Sequence, residues 1–534
     1  MLEGSSFLWI DLCVALTKIF MKSEKPKTDW FNFISTVIVI FAITLSMLLA
    51  PHASQEVIKT VLSFVTGEIG LLYIWFGIAV LFFLLIIAFS PFGKIKLGLQ
   101  NDSPEHSTLS WIAMLFSTGI GTTILYWGTI EWIEYYQEPP FKIQARTEDA
   151  LKWSTSYGMF HWGIIGWALY CFPAVCLGYA YHVRNELSLN LSSACLPVLG
   201  GSARKMPGRV VDILFMIGLL GSSATGIGLT TPLITESFGK FFNIEQSFGL
   251  TICAIALVVA VIALSVYAGL ERGIKKLSNI NITLILIIMM MIVALGPTKF
   301  IINQGTDSFL FMLKHLPEMS GVGYPSQNKA FTEKWTIFYW AWWLALGPFV
   351  GMFICKISRG RTLRQLILNV LFFGTLGCTV CIAILSGFSL FLEQAQGEGI
   401  VDSFNQNKHS VVIQVLTSLP LGEWILPLFF LLCISFAATT YDSASYTLAA
   451  AATIKLQPSE HPARWHRVVW AVVLGFLPLA LMLLSNLTGD NDQNSVLLLL
   501  QTASVAVSLP ILLIGVIMIV SLIMLLFKHE TGDN

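Results

Sequence analysis

The sequence predicts an all-α polytopic membrane protein of twelve transmembrane helices, and three observations lead there. Hydrophobic residues fill 55% of the 534 positions and charged residues only 12%, about half the charged share of a soluble domain. The apolar residues gather into runs of roughly the 20 needed to cross a bilayer. When twelve such runs are counted, 21 of the 31 basic residues fall in segments on one side and ten on the other, the asymmetry that marks a cytoplasmic face. The 31 acidic residues balance the basic ones, so the chain has no field to gather nucleic acid. This composition also excludes disordered, collagen-like, coiled-coil and disulfide-scaffold proteins.

Each run is bounded by its flanking charges. The first, 30–50, follows Lys18, Lys22, Lys25 and Lys27; the second, 70–90, precedes Lys94 and Lys96. The third and fourth, 109–133 and 154–181, enclose the outer Lys142, Arg146 and Lys152, and the fourth leads to Arg184, Arg204, Lys205 and Arg209. The fifth and sixth, 211–236 and 248–268, end before Arg272, Lys275 and Lys276. The seventh is 280–303; the eighth, 335–355, runs into Lys356, Arg359, Arg361 and Arg364. The ninth and tenth, 366–392 and 424–452, lead to Lys455, Arg464 and Arg467; the eleventh and twelfth, 466–486 and 495–527, end at Lys528. An even count with this bias places both termini in the cytoplasm.

The domain organisation follows: a cytoplasmic segment 1–29, two helices in 30–108, a unit 109–303, an outer connection 304–334, a second unit 335–527 and a cytoplasmic tail 528–534. In the connection, Thr306-Asp307-Ser308 ahead of Phe309, Leu310, Met312, Leu313 and Leu316 predicts an amphipathic helix on the membrane surface. Cys378-x-x-Cys381 lies inside the ninth run without a second pair, and reads as small hydrophobes.

Two runs carry interruptions. The third contains Ser117-Thr118-Gly119-Ile120-Gly121-Thr122-Thr123, and the eighth Leu346-Gly347-Pro348-Phe349-Val350-Gly351. If spans three to seven and eight to twelve are two five-helix units, these breaks correspond. Paired breaks point to a transporter with an inverted repeat and a site at the membrane midplane; close packing through small residues is the alternative. Beside the second break, Trp335 to Trp343 holds four more aromatic residues at Phe338, Tyr339, Trp340 and Trp342. The fourth span adds Phe160, Trp162, Trp167 and Tyr170. Ring faces attract poorly hydrated cations, above all quaternary ammonium groups, by roughly 2 kcal/mol per desolvated contact. In the tenth span, Phe436 to Ser443 offers Thr439, Thr440, Tyr441 and Asp442 as hard oxygen ligands of the kind a sodium ion prefers. No charged ring suggests a channel. His161 in the fourth span sits among aromatic residues without a nucleophile–base pair or metal set, so an enzyme is not expected.

WTIFYWAWW at Trp335–Trp343 followed by PFVGMFICKISRGRT, FHWG at Phe160–Gly163, PPF at Pro139–Phe141 and TTPLITE at Thr230–Glu236 resemble the betaine/carnitine/choline transporter family over almost the whole chain. The resemblance implies a LeuT-like five-plus-five inverted repeat and homotrimers in a bacterial inner membrane. It also implies alternating-access transport of trimethylammonium compounds. It places the substrate among Trp162, Trp167, Tyr170, Trp342 and Trp343, with Trp340 near and the backbone of Gly119 and Gly121 as the opposite wall. It implies a sodium site from the Ser117 and Ile120 carbonyls with Phe436, Thr439 and Thr440. Sodium-independent exchangers of the family carry an arginine where this chain has Asn281, which favours sodium coupling. At a second ion site Phe349 is kept, but the threonine positions read Leu219 and Ser223, which argues against a second ion. Thr123 replaces the third glycine typical of sodium-coupled betaine carriers. Glu134 reads either as solvated or as meeting a cation at the outer vestibule. The expectation is sodium-driven import of a compatible solute, glycine betaine first, with a carnitine-type exchanger or choline uptake as alternatives and no cofactor besides the coupling ion.

Overall fold

The computed structural model describes residues 27–186, 188–268, 270–322, 328–454, 456, 460–487 and 493–531. The N-terminal segment expected at 1–29 lies almost wholly outside these residues, as do the last three positions of the tail; residues 528–531 continue the twelfth helix. Among the described residues, eleven helices are long and apolar enough to cross a membrane, and a shorter apolar stretch covers Thr108–Ser117. That stretch belongs to the third span, which is built in two pieces, Thr108–Gly119 and Thr123–Gln137. With it the count of twelve is complete.

The third span breaks where the sequence predicts. The first piece ends at Gly119, and Gly121 takes φ +59°, a left-handed conformation that glycine adopts without penalty. The eighth span does not break. Phe338–Ile357 is one helix with Pro348 inside it. Its small residues serve close packing instead. A Cβ on Gly347 would stand 2.7 Å from the Leu169 carbonyl oxygen, and one on Gly351 would stand 2.8 Å from the Ala174 nitrogen. The glycines thus let the eighth span lie directly on the backbone of the fourth. The second interruption falls in the fourth span, which stops at His161, turns through Trp162 and Gly163, and restarts at Ile164.

The seventh span is Leu270–Leu295, shorter at its outer end than 303. Gly296-Pro297 stops it, because proline has no N–H to continue the ladder. The connecting helix is accordingly Thr298–Lys314, starting eight residues before the Thr306 signal. Three other features were not expected: a helix Pro51–Ser63 after the first span, a short strand pair Lys27–Thr28 with Thr453–Ile454, and an outer hairpin Ile400–Gln406 and Lys408–Thr417 between the ninth and tenth spans.

The basic loop after the eighth span is an anchor within the chain. Gly360 N–H donates to the Leu97 carbonyl at 2.7 Å, and Leu97 N–H to the Arg361 carbonyl at 2.9 Å. Arg361 donates to the His106 carbonyl at 2.9 Å and lies 4.3 Å over the Trp111 ring. Arg364 reaches the Ala88 carbonyl at 2.6 Å. The Leu99 N–H and the Arg359 guanidinium hold the half-buried Asp102 carboxyl below its ordinary range. The loops of spans two to three and eight to nine are thereby tied together into one platform.

Candidate functional site

The turn at Trp162–Gly163 and the straight eighth span bring the aromatic residues together. The Trp162 ring lies 5.7 Å from both Trp342 and Trp343. Trp343 in turn lies 5.8 Å from Trp167 and 4.4 Å from Tyr170. All five are at most 5% exposed. The edge-to-face and tilted pairings are the arrangements ring quadrupoles favour. Trp340 is not part of the cluster: it faces Phe160 at 5.5 Å and His161 at 6.1 Å.

Absent side chains set the cluster's shape. A Cβ on Gly166 would meet Trp343 atoms at 2.5–2.9 Å, and one on Gly374 would run into the Trp167 indole. Across from the rings lies the break in the third span. A Cβ on Gly119 would stand 3.3 Å from Tyr170 and 3.4 Å from Trp167. The backbone at Gly119 therefore packs directly against the rings of Tyr170 and Trp167. The indole N–H groups of Trp342 and Trp343 are buried without a hydrogen-bond partner among the described residues, an arrangement that costs free energy unless a ligand or water supplies an acceptor.

Beyond Trp342, towards the inner end of the eighth span, four spans enclose a small cavity of ≈ 40 Å³, room for a few water molecules. Its walls include Ile120, Gly121, Ser223, Phe349 and Thr440. Residues of both sodium sites implied by the resemblance therefore meet in one place. The Thr440 hydroxyl has no hydrogen-bond partner among the described residues and lies 3.2 Å from where an ideal Cβ on Gly121 would stand. The Ile120 carbonyl accepts from the Thr123 hydroxyl. Ser117, Phe436 and Thr439 do not line the cavity. The Ser117 hydroxyl is 3.5 Å from the Ser278 carbonyl. Thr439 donates to the Ser435 carbonyl at 2.8 Å and accepts from Asn281 at 3.0 Å. Asp442 is committed elsewhere: Arg467 bonds one carboxylate oxygen at 2.5 Å and Ser265 the other at 2.7 Å. It is a buried ion-pair member and not an oxygen ligand at this cavity.

The helix pair Ile400–Gln406 and Lys408–Thr417 packs on the third span. Lys408 pairs with Glu134, whose side chain is 13% exposed. Asn407 donates to Glu236 at 3.1 Å, and His409 lies 5.1 Å from the Tyr126 ring. Burial, and next the Lys408 charge, push the His409 imidazole down to about 4.

Sequence reading missed Glu131, which is 2% exposed within the third span. The Trp162 N–H donates to it at 3.0 Å and Tyr135 donates to its other oxygen. An ionisable residue inside a span is a functional candidate by position alone; that signal was present at 131 within the 109–133 run. Cys378 and Cys381 are buried and free.

A family model described as "BCCT, betaine/carnitine/choline family transporter" matches residues 31–531. A "Carnitine transporter" of Acinetobacter baumannii is 29% identical over 92% of this chain and 88% of its own length. The "Uncharacterized transporter YeaV" of Escherichia coli is 31% identical over 74% of this chain and 82% of its own. Among solved structures, MhsT in complex with L-phenylalanine aligns with a TM-score of 0.48 and 16% identity, over 78% of this chain and 89% of that one. Matched along almost its whole length, the chain belongs to the betaine/carnitine/choline transporter family, and it is a multi-span membrane transporter.

Proposed function

We propose that the protein imports a quaternary-ammonium compatible solute, glycine betaine first, by sodium symport and alternating access. The observation that carries this reading is the five-ring cluster of Trp162, Trp167, Tyr170, Trp342 and Trp343 set against the glycine backbone at Gly119 and Gly121. Ring faces suit a trimethylammonium group, which has no N–H to donate. The unpartnered N–H groups of Trp342 and Trp343 suit a carboxylate, which favours a zwitterion over choline. Sodium would be held by the Ile120 carbonyl and Thr440 hydroxyl at the cavity, with Ser117, Thr439 and Phe436 outside its lining. Ser223 and Phe349 line the same space, and we read one ion there rather than two. The protein works in a bacterial inner membrane as a homotrimer among lipids, with both termini cytoplasmic and no bound cofactor. It performs no covalent chemistry.

Carnitine is the second reading, favoured by the A. baumannii relative that bears that name. Asn281 donates to Thr439 and brings no charge to replace sodium, which weighs against an exchanger. Uptake of labelled glycine betaine, carnitine and choline into proteoliposomes, with sodium present or replaced by potassium, tests both points. Sodium-dependent accumulation of betaine is expected; equal uptake in potassium would overturn the symport.

A further inference from the structure

Glu131 is the carboxylate that touches the aromatic cluster, and its hydrogen bonds run one way. The Trp162 Nε1–H donates to one oxygen at 3.0 Å and the Tyr135 hydroxyl donates to the other. The Tyr135 oxygen lies 2.8 Å from Nδ1 of His161, whose Nε2 lies 3.0 Å from the Thr336 hydroxyl. With Tyr135 spending its proton on Glu131, His161 must donate from Nδ1 and accept from Thr336 at Nε2, which assigns the neutral tautomer. Every donor in the chain therefore points towards Glu131. Glu131 accepts at both oxygens, one from Trp162 and one from Tyr135. His161 is held by Tyr339, stacked at 4.6 Å and 13°, so the relay is clamped on both sides.

The indole of Trp162 links this carboxylate to the other rings: its N–H bonds Glu131, and its ring lies 5.7 Å from both Trp342 and Trp343. A charge-assisted hydrogen bond to an indole N–H pulls the proton outward and leaves the ring more electron-rich. The carboxylate's own field crosses a single ring width of buried, weakly screening protein. Both effects deepen the negative potential of the ring face that a cation would meet.

We propose that Glu131 is a specificity-determining, positioning residue. By holding the Trp162 N–H and charging its ring face, it makes the site select for positive charge, and not only for the shape of a trimethyl head. This deepens the quaternary-ammonium reading above and rests on it. A purely structural Glu131 would orient Trp162 without affecting charge selection.

The two roles separate in a competition assay on the full-length protein in proteoliposomes. Inhibition of labelled betaine uptake is compared for glycine betaine and for its isostere with a quaternary carbon in place of nitrogen. Glu131→Gln keeps an oxygen to accept the Trp162 N–H but removes the charge. The preference for nitrogen over carbon should fall about tenfold, the scale of one unit charge a ring width away, while Glu131→Asp retains most of it. Equal weakening of both compounds by Glu131→Gln would overturn the proposal and leave the quaternary-ammonium reading standing. A wild type that neither transports nor prefers the cation would overturn both. If Glu131→Gln does not fold, Trp162→Phe decides, because it keeps a ring face without the N–H: the same fall is expected, and an unchanged preference refutes the idea.

Discussion

Gly166→Ala puts a methyl carbon where the indole of Trp343 already lies. The ideal Cβ stands 2.5, 2.8 and 2.9 Å from Cε2, Cδ2 and Cζ2 of that ring. Carbon atoms settle at about 3.5–4.0 Å, so the indole must retreat by about 1 Å. It has nowhere free to go, being 1% exposed and packed on Trp162, Trp167 and Tyr170. The retreat is shared by all four rings. Overpacking of this kind costs about 1–3 kcal/mol. Gly166 lies inside the helix Ile164–Gly178, where alanine gains back up to about 1 kcal/mol in propensity, so the variant should fold. Losing one well-placed ring–cation contact removes about 1–2 kcal/mol of substrate binding. The Michaelis constant for betaine should therefore rise about five- to thirtyfold, with a smaller change in maximal rate. Proteoliposome uptake measures it, with Gly201→Ala as control because no atom lies within 4 Å of a Cβ there. Gly374→Ala, whose Cβ invades Trp167, should behave like Gly166→Ala. A Gly166→Ala protein that elutes as wild type and binds betaine within about twofold of it would show that substrate does not rest on these rings.

Thr440→Ala should raise the sodium concentration for half-maximal uptake several-fold while leaving betaine affinity at saturating sodium nearly unchanged; an unaltered sodium dependence would remove Thr440 from the ion site. His409 binds its proton only near pH 4 when folded but near 6.5 when unfolded. The unfolded state thus holds more protons between those values, and stability falls as pH drops from about 6.5 towards 4. The melting temperature should decline over that window, and His409→Phe, which keeps a ring on Tyr126, should flatten part of the decline; identical curves would exclude His409 as the cause. Asp442→Asn or Arg467→Met alone should destabilise by about 3–5 kcal/mol, since each strands a buried charge, whereas Asp442→Leu with Arg467→Met should recover much of the loss. Melting curves in detergent read this directly, and additive losses in the double variant would contradict it.

The membrane class and the number of spans were legible in the chain because both depend on composition and length, which need no knowledge of neighbours. Burying backbone in lipid demands about 20 apolar residues per crossing, and the distribution of lysine and arginine distinguishes the two sides. The break at Gly119–Gly121 was legible for a similar reason: its cause is local, a residue able to take positive φ. The eighth span was misread because a glycine–proline pair has two meanings that only a neighbour separates. Here the neighbour is the fourth span, whose backbone at Leu169 and Ala174 fills the space a Cβ would need. The residue types of the aromatic site were in the sequence, but not which rings meet. Trp340 and Trp342 lie two positions apart, on different sides of one helix, and the turn at Gly163 decides that Trp162 faces Trp342 rather than Trp340. Glu131 shows the same limit most clearly. As a letter it is an acid near a helix end; its character comes from Tyr135, one turn along its own helix, and from Trp162 and His161, brought from 31 and 30 positions away by the packing of two broken spans. Hydrogen bonds act over a few ångströms, so what a buried carboxylate does is set by whichever side chains the fold places within that reach.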